Sequence, residues 1–105
     1  MGQILYGGSQ AVTIEDRSLA HLQVVISTKL RRGESFTLSW RHTEREAVGR
    51  STIWLSPSIP LRFTFDTAEH IQLNRAWLEE LAQSASSSSG ITLTVEQIDP
   101  AAPAL

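Results

Sequence analysis

Alternation of apolar and polar residues recurs along the chain and predicts strands with one apolar face. Three longer stretches show it: residues 35–41, 61–66 and 91–96. Three shorter β-prone runs occupy residues 3–6, 10–14 and 51–55. The Gly7-Gly8 dipeptide between the first two short runs predicts an opening hairpin. Residues 61–66 are expected to form a central strand.

Two other segments carry apolar residues at steps of three and four, the spacing of one face of a helix. In the first segment these residues are Leu19, Leu22, Ile26 and Leu30. Asp16 is the predicted cap of this helix and Gly33 marks its predicted end. In the second segment, after the predicted cap Asn74, the apolar residues are Trp77, Leu78 and Leu81.

The predicted order of elements is ββαβββαβ, which is typical of an α+β fold. We expect one antiparallel β-sheet with two helices on one face, because the apolar strand positions need a cover. Pro57 and Pro60 have no N–H to donate, so the segment that holds them should be a bend or an edge. We expect a single domain over residues 1–96 and a loose Pro/Ala-rich C-terminal tail over residues 97–105.

Composition excludes several classes of protein. A chain of 105 residues with 41% hydrophobic and 19% charged residues suits one folded core rather than a disordered chain. It has no cysteine, which removes disulfides, thiolate metal sites and thiol nucleophiles. The net charge of −2 is not the basic balance of a dedicated nucleic-acid-binding protein. Without a leader or a long apolar run, the sequence predicts a cytoplasmic protein with no membrane partner.

Motifs in five regions, spread over nearly the whole chain, carry a resemblance to a known family. They are ILYGG at 4–8, EDR and LAHL within 15–22, KLRRGESF at 29–36, WLSPSIPL at 54–61 and LNRAWL at 73–78. With these motifs the chain resembles a family of short actinobacterial proteins of unknown function. Some members of that family carry the label ATP-dependent DNA ligase. The resemblance implies no catalytic residues.

The ligase label can be tested against the lysines of the chain. A ligase of the known class needs a nucleophilic lysine in a Lys-x-Asp-Gly motif. Lys29 is the only lysine, and the residues after it are Leu30, Arg31 and Arg32. A lysine at the end of an amphipathic helix is also poorly placed for nucleophilic attack. We therefore expect the protein not to be an enzyme.

Other catalytic and metal-binding patterns are absent from the sequence. It contains no Gly-x-Ser-x-Gly elbow, no Walker loop and no Gly-x-Gly-x-x-Gly. Two sets of potential metal ligands lack an established spacing and are interpreted as solvated loop residues: His42, Glu44 and Glu46, and Asp66, Glu69 and His70. His21 flanks the apolar stripe of the first helix and is interpreted as a partly buried structural residue. We expect no cofactor and no metal.

The polar side of the predicted sheet is the candidate binding surface. Trp54, Arg41 and Arg62 are expected to lie on it together. Tryptophan and arginine are enriched at interface hot spots, and the same trio can stack on a nucleobase and hold its phosphate. Arg31 and Arg32 either stabilise the end of the first helix or contact phosphate. In the alternative interpretation, Trp54 packs beneath the connection formed by residues 41–50.

Two functional hypotheses follow from this surface. The first is a non-enzymatic interaction module that binds a protein partner, or itself as a homodimer, through the open sheet face. The alternative is an accessory nucleic-acid-binding protein that uses the same Arg/Trp surface. A steep loss of binding with added salt would favour the second hypothesis.

Overall fold

A computed structural model describes residues 1–42 and 47–94 of the chain. Its elements follow the order ββαβββαβ, which confirms the predicted α+β class. The strands are β1 (Gly2–Tyr6), β2 (Gln10–Ile14), β3 (Phe36–Arg41), β4 (Arg50–Leu55), β5 (Leu61–Thr64) and β6 (Ile91–Thr92). The helices are α1 (Asp16–Arg31) and α2 (Arg75–Ala85). The predicted tail at 97–105 lies outside the described residues, and the division into domain and tail stays a prediction.

The strands form two sheets rather than the single sheet expected from the sequence. One sheet has the order β2-β1-β5 and the other the order β4-β3-β6. The chain changes sheets between β4 and β5, where Pro57 and Pro60 lack the N–H groups that would continue a ladder. β5 then pairs with β1, and the Gly7 N–H donates to the Pro60 carbonyl at 3.1 Å. β5 is therefore an edge strand, and its prediction as a central strand was wrong.

One strand pair departs from the predicted antiparallel arrangement. β6 runs parallel to β3, with Leu38 aligned with Ile91. The Leu93 N–H donates to the Ser39 carbonyl at 2.9 Å and extends this pairing. The chain reaches β6 through α2, and parallel strands need a long crossover connection of this kind.

The two helices and the inner faces of both sheets share one hydrophobic core. α1 packs against β1, α2 packs against β6, and the helices pack against each other. The fully buried apolar residues include three of the predicted stripe of α1, one of α2, and members of both sheets. They are Ile4, Leu19, Leu22, Ile26, Leu38, Leu55, Leu81 and Ile91. No helix within the described ranges is long and apolar enough to cross a membrane.

The beginning of α2 follows the predicted capping pattern. The Asn74 side chain accepts a hydrogen bond from the Trp77 N–H at 3.2 Å, which satisfies one of the free donors of the first turn. At the other helix, Gly33 follows the last turn with a φ of 77°, a left-handed conformation that favours glycine. Both predicted boundaries are confirmed.

Asp16 has a different role from the predicted cap of α1. It is the first helical residue, and the helix has no side-chain cap. Its carboxylate accepts hydrogen bonds from the N–H groups of Asp66 and Thr67, at 3.1 and 3.0 Å. Asp16 therefore ties α1 to the segment after β5. This contact joins residues fifty positions apart, and no local pattern contains it.

His21 lies between the helices with none of its surface exposed. Its Nδ1 is 2.7 Å from the Arg17 carbonyl oxygen, and its Nε2 is 2.8 Å from the Asn74 backbone nitrogen. A carbonyl only accepts and a backbone N–H only donates, so Nδ1 carries the proton and Nε2 accepts. The ring also packs on Trp77, with centroids 4.5 Å apart. His21 is a structural residue, as predicted, but it is fully rather than partly buried.

Candidate interaction surface

The outer side of the β3–β4 pair carries polar and aromatic side chains in one register. Six residues define this surface, which we name the β3–β4 face, and they are opposed as Thr37 with Trp54, Ser39 with Thr52, and Arg41 with Arg50. The alternate positions of β3, including Phe36 and Leu38, are buried in the core. Strand periodicity therefore fixes which residues of β3 and β4 face outward.

Opposed side chains on the β3–β4 face stand close together. The His42 N–H donates to the Gly49 carbonyl at 2.9 Å, so positions 42 and 49 form a hydrogen-bonded pair. Hydrogen-bonded and non-hydrogen-bonded pairs alternate along an antiparallel ladder. The three pairs of the β3–β4 face are therefore all non-hydrogen-bonded, with Cα atoms about 4.5 Å apart. The hydroxyl oxygens of Ser39 and Thr52, 2.8 Å apart, show this closeness directly.

Trp54 projects from β4 with 53% of its surface exposed. Trp77, by contrast, is 3% exposed, and Trp40 is half-buried. The backbone of Trp54 is held in place, because its carbonyl accepts a hydrogen bond of 2.6 Å from the Tyr6 hydroxyl. The alternative interpretation, in which Trp54 packs beneath residues 41–50, involves residues 43–46, which lie outside the described residues.

A groove of about 340 Å³ borders Trp54 on the side of α1. Lys29 and Glu34 form part of its wall, and the Lys29 Nζ lies 3.3 Å from a Glu34 carboxylate oxygen. The serines after α2 form another part of the wall. Among them, the Ser87 hydroxyl donates to the Ser84 carbonyl at 2.6 Å, so the serine run folds into a turn here. The surroundings of the indole are therefore polar and carry a lysine that is already paired.

Arg41 and Arg50 form the charged end of the β3–β4 face. Both are exposed, and no ion pair or hydrogen bond of either guanidinium is found among residues 1–42 and 47–94. They border an open depression of about 880 Å³. Like charges directly opposite each other on neighbouring strands are destabilising. Their register thus puts two unpaired positive charges side by side.

Arg50 is the residue of this surface that the sequence pattern does not identify. The pattern places it in the connection before the predicted strand at 51–55, whereas the structure includes it in β4. Its spacing of two residues from Thr52 and of four from Trp54 is the signal that places it on the outward face.

The structure separates the other predicted residues from the β3–β4 face. Arg62 lies exposed on β5, in the other sheet. Arg31 and Arg32 lie exposed at the end of α1. The expected arrangement of Trp54, Arg41 and Arg62 on one open sheet face is therefore corrected, because β5 pairs with β1 instead of β4. Trp54 and Arg41 remain on one face.

The described parts of the chain contain no group of three or more residues that could hold a metal ion. His42 is held by its neighbours, with Nδ1 2.8 Å from the Ala47 carbonyl oxygen and Nε2 2.6 Å from the Ser51 hydroxyl. It supports the start of β4. Glu44 and Glu46, the other members of that predicted set, lie outside the described residues.

Family membership rests on nearly the whole length of the chain. No curated protein and no solved structure matches it. The actinobacterial origin and the ligase label that come with the resemblance stay predictions. Residues 1–96 match the family model described as Domain of unknown function (DUF7882), so the chain belongs to that family, in line with the predicted resemblance to a short family of unknown function.

Proposed function

We propose that this protein is a non-enzymatic interaction module that binds a protein partner, or a second copy of itself, through the β3–β4 face. The exposure of Trp54 carries the proposal. Its indole is more than half exposed, although it stands on a strand that is paired along its length with β3. A large aromatic side chain in such a position is a common anchor of protein interfaces.

Burial of Trp54 would supply a large part of the free energy of a small interface. A tryptophan buries up to about 250 Å², so the exposed 53% amounts to roughly 130 Å². At 25 cal/mol per Å² this area is worth about 3 kcal/mol. Little conformational entropy is lost on binding, because β3 and the Tyr6 hydroxyl already hold the backbone.

The rest of the β3–β4 face suits the rim of an interface. Thr37, Ser39 and Thr52 place hydroxyl or methyl groups around the indole and along the strands. Such side chains adapt their hydrogen bonds to a partner without the desolvation penalty of a charge. The two charged residues of the β3–β4 face, Arg41 and Arg50, stand at the end away from Trp54.

Self-association is the first form of the proposal to test, by sedimentation equilibrium of the full chain. If the wild type dimerises, Trp54→Ala should weaken the dimer ten- to about a hundredfold, as hot-spot residues do. Val24→Ala is the matched control, because Val24 is an apolar residue, 40% exposed, on the opposite layer of the molecule. It should leave the dimer unchanged.

A different protein partner is tested by capture from cell lysate, with the same variants and after nuclease treatment. The proposal predicts a protein that is retained by the wild type and by Val24→Ala but lost with Trp54→Ala. If Trp54→Ala changes neither the oligomeric state nor any retained protein, the β3–β4 face is not the interface and the proposal fails.

Nucleic-acid binding is the second candidate, and one observation favours it. Arg41 and Arg50 share the β3–β4 face with Trp54, so a base can stack on the indole while a phosphate meets the arginines. Recovery of nucleic acid by the wild type alone would support this candidate. So would a steep fall of affinity with salt, because phosphate contacts release counterions.

A further inference from the structure

We propose that the β3–β4 face recognises an acidic, extended peptide segment of a partner protein. A carboxylate of the segment lies between Arg41 and Arg50, and an apolar side chain four residues further along packs on Trp54. This inference rests on the proposed function and adds to it the chemistry of the partner.

The arginine pair determines the charge of the ligand. Arg41 and Arg50 are directly opposed, exposed, and without an ion pair in the described residues. A carboxylate placed between them removes their mutual repulsion and accepts charge-assisted hydrogen bonds from two planar guanidinium groups. The depression of about 880 Å³ that they border has room for an acidic side chain.

The position of Trp54 determines the spacing within the ligand. Trp54 lies four residues after Arg50 along β4, or about 14 Å at ~3.4 Å per residue. A peptide in extended conformation has the same repeat, and its residues i and i+4 point to the same side. An acidic residue over the arginines therefore places residue i+4 over the indole.

The charge distribution favours a protein segment over a nucleic acid. Between the arginines and Trp54 the face carries only Ser39 and Thr52, whose hydroxyls bond to each other at 2.8 Å. A polyphosphate backbone needs positive charge along its whole track, whereas here the two arginines stand at one end and Lys29, beside Trp54, is paired with Glu34.

The test uses synthetic peptides that contain one glutamate and one phenylalanine in a serine–threonine background, with blocked termini. Their spacing is two, four or six residues, and a fourth peptide carries glutamine for glutamate at spacing four. Each is titrated into the ¹⁵N-labelled full chain and followed by NMR. We expect the glutamate peptide with spacing four to bind tightest, about tenfold better than its glutamine counterpart. The largest shifts should occur at Arg41, Arg50 and the Trp54 indole.

Variants assign the interaction to the arginines. The double variant Arg41→Gln, Arg50→Gln should bind the same peptide about tenfold more weakly. Its thermal stability should not fall, because the substitution also removes the repulsion between the two charges. Arg75→Gln is the matched control: it removes an exposed charge at the start of α2 and should leave the affinity unchanged.

The possible outcomes separate this inference from the proposed function. If the glutamate and glutamine peptides bind equally, or the double arginine variant binds as well as the wild type, the acidic peptide is excluded. Binding that still depends on Trp54 would then leave the proposed function standing. The absence of binding by any of the peptides also overturns the inference. So does tighter binding of a thymidine hexanucleotide, which would identify single-stranded nucleic acid as the ligand.

Discussion

His21 joins the two helices in the centre of the core, and its substitution tests how the fold is held together. The ring accepts a hydrogen bond from the Asn74 N–H at 2.8 Å and packs on Trp77 at a centroid distance of 4.5 Å. His21→Phe keeps an aromatic ring beside Trp77 but removes the acceptor. His21→Ala removes both the acceptor and the ring. The two variants therefore separate the hydrogen bond from the packing.

The size of each effect follows from the burial of the site. With no surface of His21 exposed, water does not replace the lost acceptor, and leaving a buried donor without it costs about 1 to 3 kcal/mol. This is the expected loss for His21→Phe. His21→Ala also leaves a cavity, and truncation of large buried side chains brings the usual total to about 3 to 5 kcal/mol.

Urea unfolding followed by far-UV circular dichroism and tryptophan fluorescence gives the two losses directly. The midpoints should fall at an unchanged slope, which shows that the variants unfold from the same compact state. Gln23→Ala on the exposed side of α1 is the control and should stay within about 0.5 kcal/mol of the wild type. His21→Gln, whose amide can both donate and accept, should lose less stability than His21→Ala.

Equal stability of His21→Phe and the wild type would refute the reasoning, because the hydrogen bond between the helices would then contribute nothing. A loss with His21→Ala no greater than that with His21→Phe would refute the packing contribution. Either result would also reopen the question of why an imidazole stands in the core.

Two further substitutions test single contacts of the fold by the same unfolding measurement. Gly90→Ala places a Cβ 2.5 Å from the Thr37 carbonyl oxygen at a φ of 76°, whereas Gly8→Ala, at a φ of 80°, meets nothing within 4 Å. Gly8→Ala should cost about 1 to 2 kcal/mol of stability through backbone strain, and Gly90→Ala should cost clearly more. Equal losses of stability would show that the chain relaxes around the new methyl group. Asn74→Ala should cost about 1 kcal/mol of stability, because it removes the cap on the Trp77 N–H. Asn74→Ser should restore most of this stability. No loss with alanine would mean that the cap is dispensable.

The outward residues of β3 and β4 show which parts of a candidate binding surface a local sequence pattern can predict. Alternation along the chain correctly indicates that Trp54 faces away from the core. The pairing of Arg41 with Arg50 depends on the register between two strands, which alternation within one strand does not specify. Arg62 shows the opposite case. Its position in β5 fits the same pattern, but its strand belongs to the other sheet.

The sequence by itself determines the elements of this protein and their order. Helix and strand periodicity, the Asn74 cap and the end of α1 at Gly33 are properties of a few neighbouring residues, so they can be recognised without knowledge of the fold. The lack of cysteine is likewise read from the sequence alone, and it excludes disulfides and thiolate ligands within this chain.

Only the tertiary structure decides how the strands are distributed between two sheets, and which side chains share a surface. A strand with one apolar face can pair with any neighbour that offers the same face, so the choice of β1 for β5 and of β3 for β6 is made by global packing. The complete burial of His21 and the contact of Asp16 with the segment after β5 are long-range in the same way. The packing of the shared core decides which distant strands pair, and a local sequence pattern does not specify this pairing.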